Sequence, residues 1–598
     1  MASSQRTAEP ITVGPDGFYH PQTEDELVRL VVLASERKLQ CRVRGAAHSV
    51  SHAVYADALG PTPNEVSRES PPPGDNLEVM LDRYRGWRVR DESRKLVEAD
   101  AGIHLGEDPF DPTGTATLET SLLWQLWKKK RWMLSNLGGI THQTVSGFTA
   151  MGSSGGSTQY SVNDNLWGFR VIDASGQLHQ VSRDDADPDP FFATSPNLGL
   201  LGVVSAIIFK CEDTFNISGQ EAITSIEDCA IDLFGPGTSE RPSLEQFLRD
   251  AEYARLEWWP QRGAERVSVW QAQRLRPQVA FRPTPYEEFA GDPNADEILA
   301  SLLYTILGNL EDLSHARPQI ERIFDRMEQL LQQVQFLKKL GRCGEALAKF
   351  VSVGAEHGIE AALLVLRPFA GLIESEIPAL FPKLLAKFVE LDSEKHGEEK
   401  NQPQSFRDYA WHGLPMDNAA DDVLLRTAFT EMWLPLPRTQ AVMQLLDSYF
   451  TEPTDDHEAY RRTGLYAWEL YAAKPTSFWM SASYTTGRDE WRDGAFRIDP
   501  YWFAANPGDP AQVFYPQFWE LLREHDIPFR LHWGKYQPVY EPGDRRWVDF
   551  FKAQYPRWDD FQALRAERDA SDTFLTSYWR DRFGLWEVAD PSTDSPDS

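Results

Sequence analysis

The sequence has only four cysteines in 598 residues, no CxxC pair, no run of 18 apolar residues and no surplus of positive charge. Each shortage excludes something. Cys41, Cys211, Cys229 and Cys343 stand far apart, so neither a zinc site nor a disulfide framework is expected, no metal is assigned, and the four read as buried thiols. The absence of a long apolar run argues against a membrane span. The N-terminal segment shows no basic start followed by an apolar stretch, so no secretory signal is expected and the setting is read as cytoplasmic. With 60 Lys+Arg against 90 Asp+Glu the formal charge is -30, which repels duplex DNA and anionic membranes, so no nucleic-acid partner is expected. Two phosphate-binding patterns are also missing. Residues 1–210 contain no GxGxxG, and the Gly534-Lys535 pair lacks Walker spacing, which weakens Rossmann and P-loop readings.

What is present describes a folded chain of more than one lobe: 41% hydrophobic, 25% charged, with Trp 20, Tyr 19 and Phe 32. Thr23 and Glu26 have capping-box spacing, and Leu27, Leu30, Val31 and Ala34 follow at helical intervals, so a helix starts there. LQCRVRG then reads as a strand ending at Gly45, followed by the small, polar AAHSVSH. The Pro-rich segment 61–75 reads as a surface insertion. NLEVMLDRY and KLVEADAGI read as strands, NLWGFRVIDASGQLHQV as a hairpin with a Ser-Gly turn, and LLGVVSAIIFKC as a buried strand. From about 296 to 396 apolar residues recur three and four apart, which predicts a helical block. Strand-like segments return in FTEMWLPLP, YAWELYAA, SFWMSASYTT and IPFRLHWGKY, and the last nine residues are polar and expected to fray. No repeat of 20 to 50 residues is visible.

Chemistry is suggested first by glycine. Asn136 to Ser157 spans 22 residues, six of them glycine, and small residues let backbone N–H groups approach a pyrophosphate closely. Gly45-Ala46-Ala47-His48-Ser49 and Gly152-Ser153-Ser154-Gly155-Gly156 both suit that task, and both suit tight turns equally well. In His532-Trp533-Gly534-Lys535, strand alternation would put His532 and Gly534 on one face and Trp533 and Lys535 on the other. Glu469 lies in a strand whose inward pair is either Glu469 and Tyr471 or Trp468 and Leu470.

In combination these segments carry more. VRGAAHS near residue 45, NLGGITHQTVSGFTAMGSSGGS near 145, NLGLLGVVSAI near 202 and HWGK near the C-terminus, in that order, resemble the vanillyl-alcohol-oxidase (PCMH-type) family of FAD enzymes, in its aldonolactone and alditol oxidase branch. The resemblance implies an α+β architecture: a two-subdomain FAD-binding domain over 8–215, a substrate (cap) domain over 216–495 with an antiparallel sheet and the helical insertion at 296–396, and a C-terminal return over 496–590. It implies that Gly45 to Ser49 wrap the FAD pyrophosphate and that His48, with His52 nearby, is covalently attached to the isoalloxazine; the residue before His48, glycine in relatives, is Ala47. Asn136, Leu137, Gly138 and Gly139 would border the reactive flavin edge. Thr144, Gly147, Gly152, Ser153, Ser154 and Gly155 would contact ribityl and phosphate, Val204 the adenine end, and His532 the flavin.

The catalytic residues implied are Glu469, which would orient the substrate hydroxyl, Lys535, and Arg497 in place of an arginine that relatives carry where Tyr471 stands. Relatives also carry a serine at Gly139, which counts against a simple polyol substrate. The implied reaction is oxidation of a sugar-derived alcohol or aldonolactone, with hydride passing to the flavin and electrons to dioxygen, giving peroxide. A dehydrogenase using a quinone or cytochrome, an oxidase of a non-sugar natural product, and a flavin-binding protein without catalysis are the alternatives.

Overall fold

The computed structural model describes residues 11–57, 74–261, 264–286, 320, 334–338, 341–366, 368, 389–394, 401–415, 427–451, 465–485, 489–503, 508–541 and 543–586. The fold is α+β. The helix Glu24–Arg37 begins at Thr23, whose side chain accepts from Glu26 N, and it buries Leu27, Leu30, Val31 and Ala34. Its apolar stripe faces the two-stranded parallel sheet of Cys41–Arg44 and Leu77–Met80, in which Cys41 pairs with Leu77. Beside it, an antiparallel sheet runs Trp87–Asp91, Leu96–Asp100, Val203–Lys210, Leu166–Ile172, Leu178–Ser182. The last two strands form the expected hairpin, closed by Asp173, which accepts from Ser175 N and Gln177 N.

Asn216 opens a larger, antiparallel sheet in the order Gln404–Tyr409, Asn216–Ser225, Arg266–Leu275, Tyr253–Trp259, Leu465–Ala473, Ala495–Phe503, Met432–Pro435, Arg530–Leu531, with Thr427–Phe429 also on Ala495–Phe503. Residues on both sides of position 495 therefore share one sheet. In the middle strands both faces are buried: Trp468 packs on Phe518 with ring centroids 4.7 Å apart, while Glu469 on the other face is 2% exposed. Of the expected helical block, Val334–Lys338, Gly341–His357 and Ile359–Leu366 are helices and residues 389–394 form a bend and a turn; apart from a few single residues the rest lies outside the described residues, as do 61–73 of the Pro-rich segment and the last nine residues. Cys41, Cys211 and Cys229 are buried free thiols. No helix among the described residues is long and apolar enough to cross a membrane.

Of the expected strands, one does not form and another is cut short. SFWMSASYTT forms turns joined by the single bridge Thr476↔Tyr484, because the Ser481 hydroxyl accepts from Ser483 N and satisfies locally a backbone group that a ladder would otherwise need. IPFRLHWGKY is extended only at Arg530–Leu531. There the backbone turns back on itself: Lys535 N donates to His532 O at 3.2 Å and Gly534 N to His532 Nδ1 at 3.1 Å.

One buried cation joins the N-terminal unit to the rest. Arg42 donates to five backbone carbonyls, those of Ala53, Val54, Leu198, Gly199 and Phe574, and so ties three loops together around one point.

Candidate active site

Those three loops border a cavity of about 740 Å³ that runs from the end of the strand Cys41–Arg44 to the centre of the large sheet. At its first end lie Gly45, Ala46, Ala47, His48 and Ser49. The local chain explains their placement. A Cβ on Gly45 would sit 2.4 Å from Thr144 Oγ1, and one on Gly534 would sit 2.5 Å from Ser49 Oγ. Glycine at both positions lets the N-terminal loop, the middle segment and the C-terminal turn close on each other, and Val50 N then donates to Gly534 O at 2.9 Å.

Ala47 holds φ 56°, a left-handed conformation that costs an L-residue about 1–2 kcal/mol. Glycine there relieves the strain and costs somewhat more chain entropy on folding. Ala47→Gly is therefore expected to raise stability by about 0.5–1 kcal/mol, read as a higher urea midpoint; a lower midpoint would mean that the methyl's packing outweighs its strain.

From the middle segment, Gly139, Thr144, Gly147, Ser153 and Ser154 line the same cavity, as does Val204 across from them. Thr144 caps the helix Val145–Met151, accepting from Gly147 N. The other middle residues lie elsewhere. Asn136, Leu137 and Gly138 border a separate small pocket with Gly155, Tyr253 and Tyr471, and the Asn136 side chain is committed there, accepting from Leu137 N in its own loop and donating to Tyr160 O of a neighbouring one. Gly152 ends the helix at φ 75° against Pro196. Sequence reasoning missed Gln143 and Asn197. Both line the cavity, and Gln143 Oε1 and Asn197 Nδ2 are buried there without a hydrogen-bond partner among the described residues. A buried acceptor and a buried donor left unpaired are costly unless a ligand meets them, so this wall fits a bound polar cofactor.

The far end of the cavity is charged. Glu469, Arg497, His532 and Lys535 all line it, and so does Glu431, which no sequence motif marks. Pairing across the sheet sets Glu469 opposite Asp499 and Tyr471 opposite Arg497. Arg497 Nη2 lies 3.2 Å from Glu469 Oε2 and Arg497 Nε lies 2.7 Å from Asp499 Oδ2 and 3.4 Å from Glu431 Oε2. The Tyr471 hydroxyl donates to Glu469 Oε1, and its ring stacks under the guanidinium at 4.5 Å. Arg497 thus brings a cation from the neighbouring strand to the place where Tyr471 stands.

Three buried carboxyl groups around one guanidinium cannot all be charged at low cost. Burial, joined by Glu431 and Glu469, raises the Asp499 pKa well above the carboxylate range, against the pull of Arg497. Burial opposes charge on Glu431 too, but Arg497, His532 and Lys535 hold it below its ordinary value. Burial also works against Arg497, and the three carboxyl groups more than offset it. His532 is pushed down to about 4, chiefly by burial, so its imidazole is neutral at pH 7.

His532 and Lys535 face the same space, which strand alternation does not predict; the turn at Gly534 brings them together. Lys535 Nζ donates to His48 O at 3.3 Å and stands 4.0 Å from the Phe429 ring. Trp533 points away into aromatic packing, with Nε1 on Met480 O. No group of His, Cys, Asp and Glu among the described residues has the arrangement of a metal site.

No family model matches the chain. Curated relatives include an L-gulonolactone oxidase of Scyliorhinus torazame, 24% identical over 268 residues (44% of this chain, 50% of that protein). A D-arabinono-1,4-lactone oxidase of Yarrowia lipolytica is 27% identical over 279 residues (46% and 45%). The chain spans about half the length of the curated relatives it matches. Among solved structures, a histidine-to-alanine variant of the cholesterol oxidase from Brevibacterium sterolicum superposes with a TM-score of 0.59 at 15% identity, over 95% of this chain and 94% of that one. A solvent-stable cholesterol oxidase gives 0.59 at 16%, over 95% and 94%. That likeness establishes the fold, the PCMH-type FAD-binding fold.

Proposed function

We propose that this chain is an FAD-dependent oxidase that converts a sugar lactone or a sugar-derived alcohol to the carbonyl compound with release of hydrogen peroxide. The observation that supports it most is a single cavity shared by three distant segments: the loop Gly45 to Ser49, the stretch from Gly139 to Ser154, and the charged cluster of Glu431, Glu469, Arg497, His532 and Lys535. The lactone oxidases named above add weight through the sequence they share with this chain.

In this reading Gly45 to Ser49, Ser153 and Ser154 hold the phosphates, Asn197 and Gln143 supply hydrogen bonds, and His48 is the point of covalent attachment. When bound, FAD supplies an acceptor for the hydride of a carbinol C–H bond and a route for its electrons to dioxygen. The chain's own residues do the rest. Glu469, held by Tyr471 and Arg497, has a fixed orientation that it can impart to a substrate hydroxyl. Lys535 and Arg497 place positive charge at the cavity wall, where negative charge developing during electron transfer is stabilised without reorganisation. His532 accepts from Gly534 N through Nδ1, so its proton sits on Nε2 and the neutral ring is a hydrogen-bond donor.

Anaerobic bleaching tests the reading. The purified holoenzyme is expected to lose its flavin absorbance with at least one of L-gulonolactone, D-arabinono-1,4-lactone or a polyol, and to release peroxide in air; bleaching by cholesterol, the fourth donor, and by none of the other three would make it an oxidase of a non-sugar alcohol instead. Dye reduction without peroxide would instead make it a dehydrogenase, and no bleaching by any donor would sink the enzyme reading. Acid precipitation tests the tether: yellow colour stays with the protein pellet and passes to the supernatant in His48→Ala. Colour already in the supernatant for the wild type rules the tether out.

A further inference from the structure

Three carboxyl groups line the cavity, Glu431, Glu469 and Asp509. Asp509 spends both oxygens on the helix it caps, accepting from Ala511 N and Gln512 Nε2, whereas Glu431 and Glu469 flank Arg497 and differ in what their oxygens already do. Glu469 has both committed, Oε1 to the Tyr471 hydroxyl and Oε2 to Arg497 Nη2. Glu431 has only one committed: Oε2 accepts from Trp433 Nε1 at 3.3 Å and lies 3.4 Å from Arg497 Nε. Glu431 Oε1 takes no hydrogen bond from a described residue and is not among the fully enclosed unpaired atoms, so it opens on the cavity. The neighbouring polar groups are donors: Arg497 and Lys535 have no acceptor atom, and His532 uses its one ring acceptor on Gly534 N. Asp499 does not line the cavity at all.

We infer that Glu431 is the catalytic base of this site, its Oε1 taking the hydroxyl proton of the substrate alcohol, while Glu469 positions the substrate and Arg497. The inference rests on the oxidase reading above and deepens it. The carbinol C–H bond breaks and its two electrons leave with the hydrogen as hydride to the flavin; the O–H bond breaks and its proton forms a new O–H bond on Glu431; the C–O bond becomes C=O. Dioxygen would then take from the reduced flavin the two electrons and one proton that arrived as hydride, take its second proton from Glu431, and leave as hydrogen peroxide, which restores the carboxylate.

A depressed pKa does not disqualify Glu431. As hydride departs, the carbinol oxygen becomes that of a protonated carbonyl, acidic enough to give its proton to an ordinary carboxylate. The groups that face Glu431 are Arg497 and Asp499 from the strand Ala495–Phe503, Glu469 from Leu465–Ala473, and His532 and Lys535 from the C-terminal turn. Arg497 and Lys535 favour its charged form against burial, so it is a carboxylate throughout the neutral range.

The test compares Glu431→Gln, Glu431→Asp and Glu469→Gln holoenzymes with the wild type, using whichever of the four donors bleaches the wild type fastest. Glu431→Gln is expected to keep its flavin and to bind the oxidised product of that donor, read by flavin absorbance, within about threefold of the wild type. Its anaerobic reduction is expected to slow by about 10²–10⁴-fold. The wild-type rate is expected to fall at acid pH as Glu431 gains a proton; this limb disappears in Glu431→Gln and returns in Glu431→Asp, whereas Glu469→Gln keeps it. Reduction of Glu431→Gln within tenfold of the wild type with the limb intact, or loss of the limb in Glu469→Gln instead, overturns the assignment and leaves the oxidase reading standing. Failure of the wild type to bleach with any donor overturns both.

Discussion

Arg497→Met is expected to lower folding stability by about 3–5 kcal/mol at neutral pH, the usual cost of removing one partner from a buried ionic cluster. The geometry leaves little room for a smaller loss. Glu469, Glu431 and Asp499 all lie within 4 Å of the guanidinium, and all are buried. Methionine restores volume and supplies no charge, so each carboxyl group must either stay charged at low dielectric or take up a proton.

The pH dependence identifies the cause. In the wild type the folded-state pKa of Glu431 is depressed, so the stability it contributes is present at neutral pH and is lost as pH falls through that depressed value. In the variant the counter-charge is gone, so the folded-state value of Glu431 rises above its unfolded one and that of Asp499, already raised by burial, rises further. Stability from such groups is present at low pH and lost as pH rises, so the variant regains part of its deficit between about pH 8 and pH 5. Urea unfolding at both ends of that range reads the effect. A second change sharpens it: Asp499→Asn resembles the protonated acid that burial already favours, so it does not rescue Arg497→Met, whereas Glu431→Gln removes the buried carboxylate that has lost its counter-charge and restores part of the loss. Equal stability of Arg497→Met and the wild type would show that the cluster is not the ionic unit described.

How much of this was legible in the sequence follows from the range of the interactions. The helix after Thr23, the strand Cys41–Arg44, the hairpin around Gly176 and the strand bearing Glu469 are written in local patterns, a capping box, alternation and a turn, and a single sequence displays those. Of the residues assigned to cofactor, those between Gly45 and Ser49 lie on the cavity, whereas Asn136 to Gly138 and Gly155 do not, because Asn136 folds its side chain back onto its own loop.

Glu431 and Asp499 carried no motif. Their roles depend on strand register, Glu469 opposite Asp499 and Trp433 opposite Arg497, between segments tens of residues apart. One local sign was available: in AFRIDPYWF, Arg497, Asp499 and Tyr501 alternate with Phe496 and Ile498, an arrangement of charge in a buried strand that calls for partners. The turn at His532 to Lys535 was hidden for a related reason. Local hydrogen bonds on His532 close it, and the place it occupies, with Gly534 against Ser49, depends on a residue nearly five hundred positions away in the chain.

That turn makes Lys535 the second residue whose loss is expected to be severe. Lys535→Met is expected to slow anaerobic flavin reduction by about 10²–10³-fold, the size of effect seen when a fixed electrostatic donor is removed from a reacting centre. Two roles converge on the ammonium: it places a positive charge at the end of the cavity shared with Glu469 and Arg497, and it holds the His48 carbonyl at 3.3 Å, bracing the loop proposed to carry the flavin. The two separate experimentally. Loss of charge lowers the flavin midpoint potential and slows reduction while occupancy stays the same. Loss of the brace lowers the fraction of flavin retained after acid precipitation and leaves the potential of the bound fraction unchanged. Lys535→Arg keeps the charge and can still reach a carbonyl, so it recovers most of the rate only if charge is the larger part; a wild-type rate in Lys535→Met with reduced flavin content would assign Lys535 to the brace alone.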